Sequence, residues 1–298
     1  MAAIAMPALG ISMNLSSSSP PSSSWTCRAS VKNGTGNLPP ISKEETIEQA
    51  RASLWAVLEA PLKRRAEPST LRKISKRQAQ IQQQSRFRIE IPVLDGDDRT
   101  LASLALDLIA NAGVSKLCLV LPTALLQEFV AAEAERRRSA DSRVLPELQL
   151  ENLQDDYDFA IHKDAAFVLI VAPGSAEIDP VGRILGSSGG RAIVVLNPEW
   201  SLEEELAAPC DAFQVAYSFI PLSIRVFLSR KEGAVLKEVP LNTPWRVFLK
   251  EGSEMDCVLS LSRRPSPEDL ENALYNRVAA NSPVVKSAKF LSGLFGKN

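Results

Sequence analysis

Two short patterns in this chain have the outline of catalytic motifs. Gly186-Ser187-Ser188-Gly189-Gly190 fits the nucleophile pattern G-x-S-x-G. Such a serine works on a sharp turn from a strand into a helix, with its histidine later in the chain. Here a helical segment precedes the pattern and an apolar strand follows it, and His162 comes before Ser188. The stretch therefore reads as a flexible turn. The second pattern, Val93-Leu94-Asp95-Gly96-Asp97, resembles the strand-end D-x-D of Mg²⁺-dependent phosphatases, and Asp155-Asp156 offer further carboxylates. Hard cations take such oxygens. Asp155 and Asp156, however, precede their strand and so belong at the opposite edge of a sheet. An acidic turn also favours the N-terminus of a following helix without any metal.

Other chemistries have less to work with. There is no Walker loop and no strand followed by G-x-G-x-x-G, and acids at the end of the first strand repel phosphate. Cys118, Cys210 and Cys257 stand apart with no C-x-x-C, which points to buried thiols instead of zinc. A single histidine leaves little room for imidazole ligands or bases. No cofactor is expected, and no complete catalytic set is present, so the expectation is a protein that is not an enzyme.

The elements that would position a site alternate between strand and helix. Ser42-Lys43-Glu44-Glu45 has the form of a capping box. It opens a helix with Ile47, Leu54 and Leu58 on one face and Trp55 beside them, which Pro61 is expected to end. In the segment Phe87–Val93 apolar residues alternate with Arg88 and Glu90, the pattern of a strand with one wet face or one near an edge. Thr100 is the expected cap of the next helix and Gly113 its expected stop. Lys116–Leu121, Ala166–Ala172 and Arg191–Leu196 are nearly continuous apolar runs, as parallel strands covered on both faces must be. Pro122-Thr123 opens a helix that runs to about Arg138. Beyond residue 210 come short strands at Phe213–Phe219, Ile224–Ser229, Ala234–Val239, Trp245–Lys250 and Met255–Leu261, separated by tight turns and hence antiparallel. Ser266-Pro267-Glu268-Asp269 starts a last helix. The predicted fold is α/β: a Rossmann-like, mostly parallel sheet covered by helices, with an antiparallel C-terminal strand extension and terminal helices. In such a sheet a ligand sits beyond the carboxyl ends of the strands. That rule gathers Asp95, Thr123, Gly174, Asn197 and Glu199 as a candidate crevice, one that side chains could equally close.

Length, composition and charge limit the classes available. The 298 residues are 45% hydrophobic and 23% charged, an ordinary globular balance, and the net charge is −1. That balance argues against nucleic-acid binding by bulk charge. No apolar run approaches the ~20 residues of a membrane span. Residues 1–43 hold no acid and include SSSSPPSSS at 16–24. Ser-rich, acid-free composition marks a transit peptide. It is assigned to 1–29, with Cys27-Arg28-Ala29-Ser30 as the processing site, a linker at 30–42, expected to be disordered, and a single domain over 43–298. The expected location is the chloroplast, in the stroma or peripherally on the thylakoid.

Two surface elements suit partner contact. Residues 63–77 carry seven bases, including Arg72, Lys73, Lys76 and Arg77, against Glu67. This basic segment extends as linker to 85. A run of charge is by default a solvated helix face; the sharper reading is an acidic partner, an anionic membrane surface or RNA, the last without interleaved aromatics to stack its bases. At the C-terminus, 284–298 places Val284, Ala288, Leu291 and Phe295 on one helical stripe, with Val285 and Leu294 at its margins and Lys286 and Lys289 flanking it, and Phe290 is a further candidate contact. Such a segment can lie on anionic lipid or in a partner groove, or equally cover the domain's own sheet.

Several stretches also resemble a plastid and cyanobacterial domain-of-unknown-function family that includes the Low PSII Accumulation assembly factors. They are RFRIEIPVL (86–94), VLPT (120–123), FVLIVAP (167–173), RAIVVLNPEW (191–200), AYSFIPLSIRVFLSRKEGAVLKEV (216–239), PWRVFL (244–249) and ALYNRVAANSPVVKSAKFLSGLFG (273–296). The resemblance implies an auxiliary protein in photosystem II biogenesis, whose partners are photosystem subunits or other assembly factors. It supplies no catalytic residues. The remaining expectations are a metal-dependent phosphoryl-transfer enzyme built on Asp95 and Asp97, or a plastid RNA-binding protein acting through 63–77.

Overall fold

The computed structural model describes residues 3–5, 12–14, 38–66, 85–93, 97–140, 144–154, 161–226 and 229–281. Nine strands form one mixed sheet: β1 (Arg86–Glu90), β2 (Lys116–Leu121), β3 (Glu147–Asn152), β4 (Phe167–Val171), β5 (Ala192–Leu196), β6 (Gln214–Val226), β7 (Ser229–Lys237), β8 (Trp245–Glu251) and β9 (Glu254–Leu261). Their order across the sheet is β9-β8-β7-β6-β1-β5-β4-β2-β3. The six strands from β6 to β3 run parallel, and β7, β8 and β9 add on antiparallel. Two three-residue strands, Ala3–Ala5 and Ser12–Asn14, pair with each other, and the second also pairs with β6 at Ser223 and Ile224.

Among the described residues, six α-helices accompany the sheet: α1 (Lys43–Ala66), α2 (Asp98–Ile109), α3 (Ala124–Ser139), α4 (Ile178–Ser187), α5 (Leu202–Glu205) and α6 (Pro267–Asn281). α1, α2 and α3 cover one face, packing Leu54, Leu58, Leu106 and Val130 against Phe87, Ile89, Leu119, Leu169 and Val194. α4 and the segment through Trp200, Cys210 and Phe213 cover the other, over Val120, Val168, Ile170 and Val195. Both faces of β2, β4 and β5 are thus excluded from water, which accounts for their unbroken apolar runs. α6 covers a third apolar cluster on the antiparallel strands, where Leu270 meets Leu222, Trp245 and Val247.

Several expectations change in the structure. α1 does not stop at Pro61 but runs to Ala66. Leu62 packs on the core beyond the proline and Arg65 donates to the Lys163 carbonyl, so tertiary contacts outweigh the proline's cost. Of the linker expected over 30–42 only 38–42 are among the described residues, and there Pro39 and Pro40 are buried and Leu38 packs on the core. The cap of α2 is Asp97, not Thr100; its carboxylate accepts from the Thr100 amide at 2.5 Å. The first left-handed residue after α2 is Asn111, ahead of Gly113. The strand expected at Ile224–Ser229 instead spans the end of β6 and the first residue of β7, with 227–228 outside the described residues, since Gln214–Val226 is one continuous strand. β6 is long because it serves two neighbours, running parallel to β1 through Gln214–Ser218 and antiparallel to β7 from Ser218 to Val226. β3, the edge strand ELQLEN, has no apolar run to announce it.

Candidate functional site

The carboxyl end of the parallel sheet brings the candidate crevice residues into a row. Asn197 and Glu199 follow β5, Gly174 follows β4 and Thr123 follows β2, in the order in which those strands lie side by side. Asp95 lies outside the described residues. Each of the four described residues makes a local structural contact. Thr123 is the N-cap of α3, its hydroxyl accepting from the Leu126 amide at 3.1 Å. The Gly174 amide donates to Glu177 Oε2 at 2.9 Å, and the Glu199 amide donates to the Pro173 carbonyl at 3.0 Å.

Asn197 has the most consequential position. β1 and β5 are adjacent, and the chain leaves β1 toward the α2 face but leaves β5 toward the opposite face. Such a parting of connections opens the crevice in which α/β sheets bind ligands. Here Asn197 Oδ1 accepts from the Ile91 amide at 2.7 Å and Asn197 Nδ2 donates to the Ile91 carbonyl at 2.8 Å. Its own amide donates to the Ile89 carbonyl at 2.8 Å. The side chain therefore continues the β1–β5 ladder one step past its end and stitches the crevice shut. The left-handed backbone at φ +49° turns the amide back toward β1, a conformation that asparagine tolerates better than most residues.

Beneath this point, on the α5 side, Arg88 and Glu90 form a buried ionic cluster. Arg88 pairs with Glu90 and, at 2.6 Å, with Glu205; Arg264 reaches Glu90 at 2.9 Å and Glu205 at 3.3 Å. The Ser218 hydroxyl donates to Glu90. The Arg88 guanidinium lies 5.7 Å from the Trp200 ring centroid and that of Arg264 lies 5.4 Å from Trp245. The Arg88 and Glu90 side chains are only 7% and 12% exposed, so β1 has no wet face and is a central strand. Burial pushes the Glu90 carboxyl up, but the charges of Arg264 and Arg88 and the Ser218 hydroxyl outweigh it and hold Glu90 below its ordinary range. Two arginines and two glutamates cancel within the cluster, which joins β1, α5, β6 and the loop before α6. Sequence spacing could not find it, because Glu90 and Arg264 lie 174 residues apart.

An apolar cavity of about 310 Å³ opens on the other side of β1. Its walls include Ile91, Pro92 and Val93 past the end of β1, Leu104 of α2, Phe219 of β6 and Met255 of β9. Ser42, Lys43, Thr100, Glu232 and Lys250 also border it. Sequence reasoning missed it, since its walls come from distant elements and carry no motif.

The other candidates behave as structural parts. Ser188 is buried and its hydroxyl donates to the Leu185 carbonyl at 3.2 Å; Gly189 and Gly190 turn the chain with positive φ, with the helix before and the strand after as the sequence indicates. Cys118 and Cys210 are buried, and burial pushes their thiols up to about 12 and about 11. Among the described residues no group of three or more His, Cys, Asp or Glu is placed to hold a metal ion. No helix among them is long and apolar enough to cross a membrane. Of the basic run, Lys63 pairs with Glu59 at 2.6 Å in the last turns of α1. Arg72, Lys73, Lys76 and Arg77 lie outside the described residues, as do Asp155-Asp156 and the C-terminal residues Lys286, Lys289, Phe290, Leu294 and Phe295.

No curated protein matches the chain. One family model does, and it extends from the segment before α1 to the middle of α6, taking in all nine strands of the mixed sheet. On that match, over residues 40–272, the chain belongs to the family described as a domain of unknown function, DUF1995.

Proposed function

We propose that this chain is a non-catalytic auxiliary protein of the chloroplast that acts by binding a photosystem II subunit or another assembly factor. The observation that carries the non-catalytic part is Asn197, whose amide occupies the crevice where an α/β enzyme would hold its substrate. Asp97 also has a structural reason for its place without any metal: its Oδ1 accepts from the Thr100 amide as the cap of α2. The photosystem part rests on the resemblance to the Low PSII Accumulation factors, and the chloroplast part on the Ser-rich, acid-free residues 1–43. Partner contact is assigned to the basic run and to 284–298, whose lysines also suit peripheral contact with anionic thylakoid lipid.

Affinity purification of the tagged chain from chloroplasts, with and without nuclease, tests the proposal. Nuclease-resistant recovery of photosystem II subunits or assembly factors is expected. Reversing Arg72, Lys73, Lys76 and Arg77 to Glu should reduce it, more so at low ionic strength, where the Debye length is longer. Recovery that nuclease abolishes would replace the proposal with RNA binding. Metal-dependent phosphatase turnover lost in Asp95→Asn would replace it with the enzyme.

A further inference from the structure

We propose that the cavity beside β1 is a binding site for an uncharged, apolar small molecule about twice the size of benzene. This goes beyond the partner binding proposed above and does not depend on it.

The position is the first reason. Ligands of parallel α/β sheets collect at the carboxyl ends of the strands. Asn197 closes that end on the β5 side of β1. On the β6 side the end of β1 opens into the cavity, so Ile91, Pro92 and Val93 line a space between α1, α2 and the antiparallel strands.

Size and lining give the ligand class. The volume of about 310 Å³ falls within the range of small-molecule pockets. A dry cavity of about 150 Å³ takes benzene, which sets the size of the expected ligand. Val93, Leu104, Phe219 and Met255 offer hydrocarbon and a thioether as walls. A void bounded by such side chains leaves them without dispersion partners, and an apolar guest restores them.

The rim argues for absence of charge. Lys250 at the cavity edge is ion-paired with Glu232 at 3.1 Å. The first turn of α1 is capped within itself: the Ser42 hydroxyl accepts from the Glu45 amide at 3.1 Å, and the Glu45 carboxylate accepts from the Ile41 amide at 2.9 Å. The start of α2 is capped by Asp97. Each helix start and the Lys250–Glu232 pair is thus satisfied within itself, and Lys43 stands exposed at the mouth, so among the apolar walls a ligand charge would lose its hydration with little in return.

N-Phenyl-1-naphthylamine, a neutral apolar fluorophore, is a suitable probe for the full chain. The expected result is a saturable, one-to-one rise in its fluorescence. Val93→Trp, which fills the cavity from the end of β1, should weaken binding at least tenfold while leaving the circular dichroism spectrum unchanged. Fluorescence that never saturates, or saturable binding unaffected by a folded Val93→Trp, would overturn the proposal. If that variant does not fold, crystals of the unsubstituted chain under xenon pressure decide. Xenon between Leu104, Phe219 and Met255 supports the site, and xenon absent from the cavity removes it.

Discussion

Replacing Asn197 with alanine removes two hydrogen bonds to one residue, Ile91, at the junction of β1 and β5. Ile91 is only 5% exposed, so water does not readily replace the lost partners. An unsatisfied buried amide or carbonyl costs about 1–3 kcal/mol. Alanine must also hold the left-handed backbone that Asn197 adopts at φ +49°, at a further cost of about 1–2 kcal/mol. With both Ile91 groups left unsatisfied, the sum is a loss of about 3–8 kcal/mol, a large share of the 5–15 kcal/mol stability typical of a domain. Two further substitutions separate the contributions. Asn197→Gly loses the same hydrogen bonds without the left-handed strain, so it should be more stable than Asn197→Ala by about 1 kcal/mol. Asn197→Asp keeps an acceptor for the Ile91 amide but sets a carboxylate against the Ile91 carbonyl. Protonation turns that oxygen into a donor, so the folded state raises this carboxyl's pKa. The gap from the unsubstituted chain should therefore be widest at pH 7 and narrow as pH falls toward 4. Urea unfolding at both pH values, with unchanged m-values, measures each difference. An alanine variant within 1 kcal/mol of the unsubstituted chain, or a glycine variant no more stable than alanine, would refute the account of Asn197 as the closure of the crevice.

Removing Arg264 should sensitise the fold to acid. A carboxyl held low in the folded state contributes stability above its unfolded value of about 4.5 and loses it as pH falls through the lower folded value. Arg264→Leu removes the strongest downward pull on Glu90, so the acid-unfolding midpoint should move to higher pH, with a loss on the order of 3 kcal/mol at pH 7; an unchanged acid titration by circular dichroism would count against the cluster's role. Iodoacetamide at pH 8 should label the exposed Cys257 but leave Cys118 and Cys210 unlabelled until the chain unfolds, because burial holds their thiols up to about 12 and about 11; peptide mass spectrometry reads the order. Gly233→Ala places a Cβ against the Phe248 carbonyl oxygen and the Leu249 side chain, so thermal melting should report a loss of about 1–3 kcal/mol.

Local signals determined most of the framework. The buried strands β2, β4 and β5 were legible because a strand covered on both faces must be apolar at nearly every position. The starts of α1 and α3 were legible because Ser42 and Thr123 cap amides three residues away, within the same few residues of sequence. The context of Ser188 was legible for the same reason, since the order of helix, turn and strand is local. Tertiary structure decided what depends on distant partners. Arg88 and Glu90 have the alternation of a wet strand, yet they are buried, because Glu205 and Arg264 arrive from far along the chain to neutralise them. The long reach of β6 depends on having β1 on one side and β7 on the other. Thr123, Gly174, Asn197 and Glu199 do lie past the strand ends, but whether that end stood open depended on which way the Asn197 amide turned. A left-handed backbone and two hydrogen bonds to Ile91 settled it, and neither is written in the residue type alone.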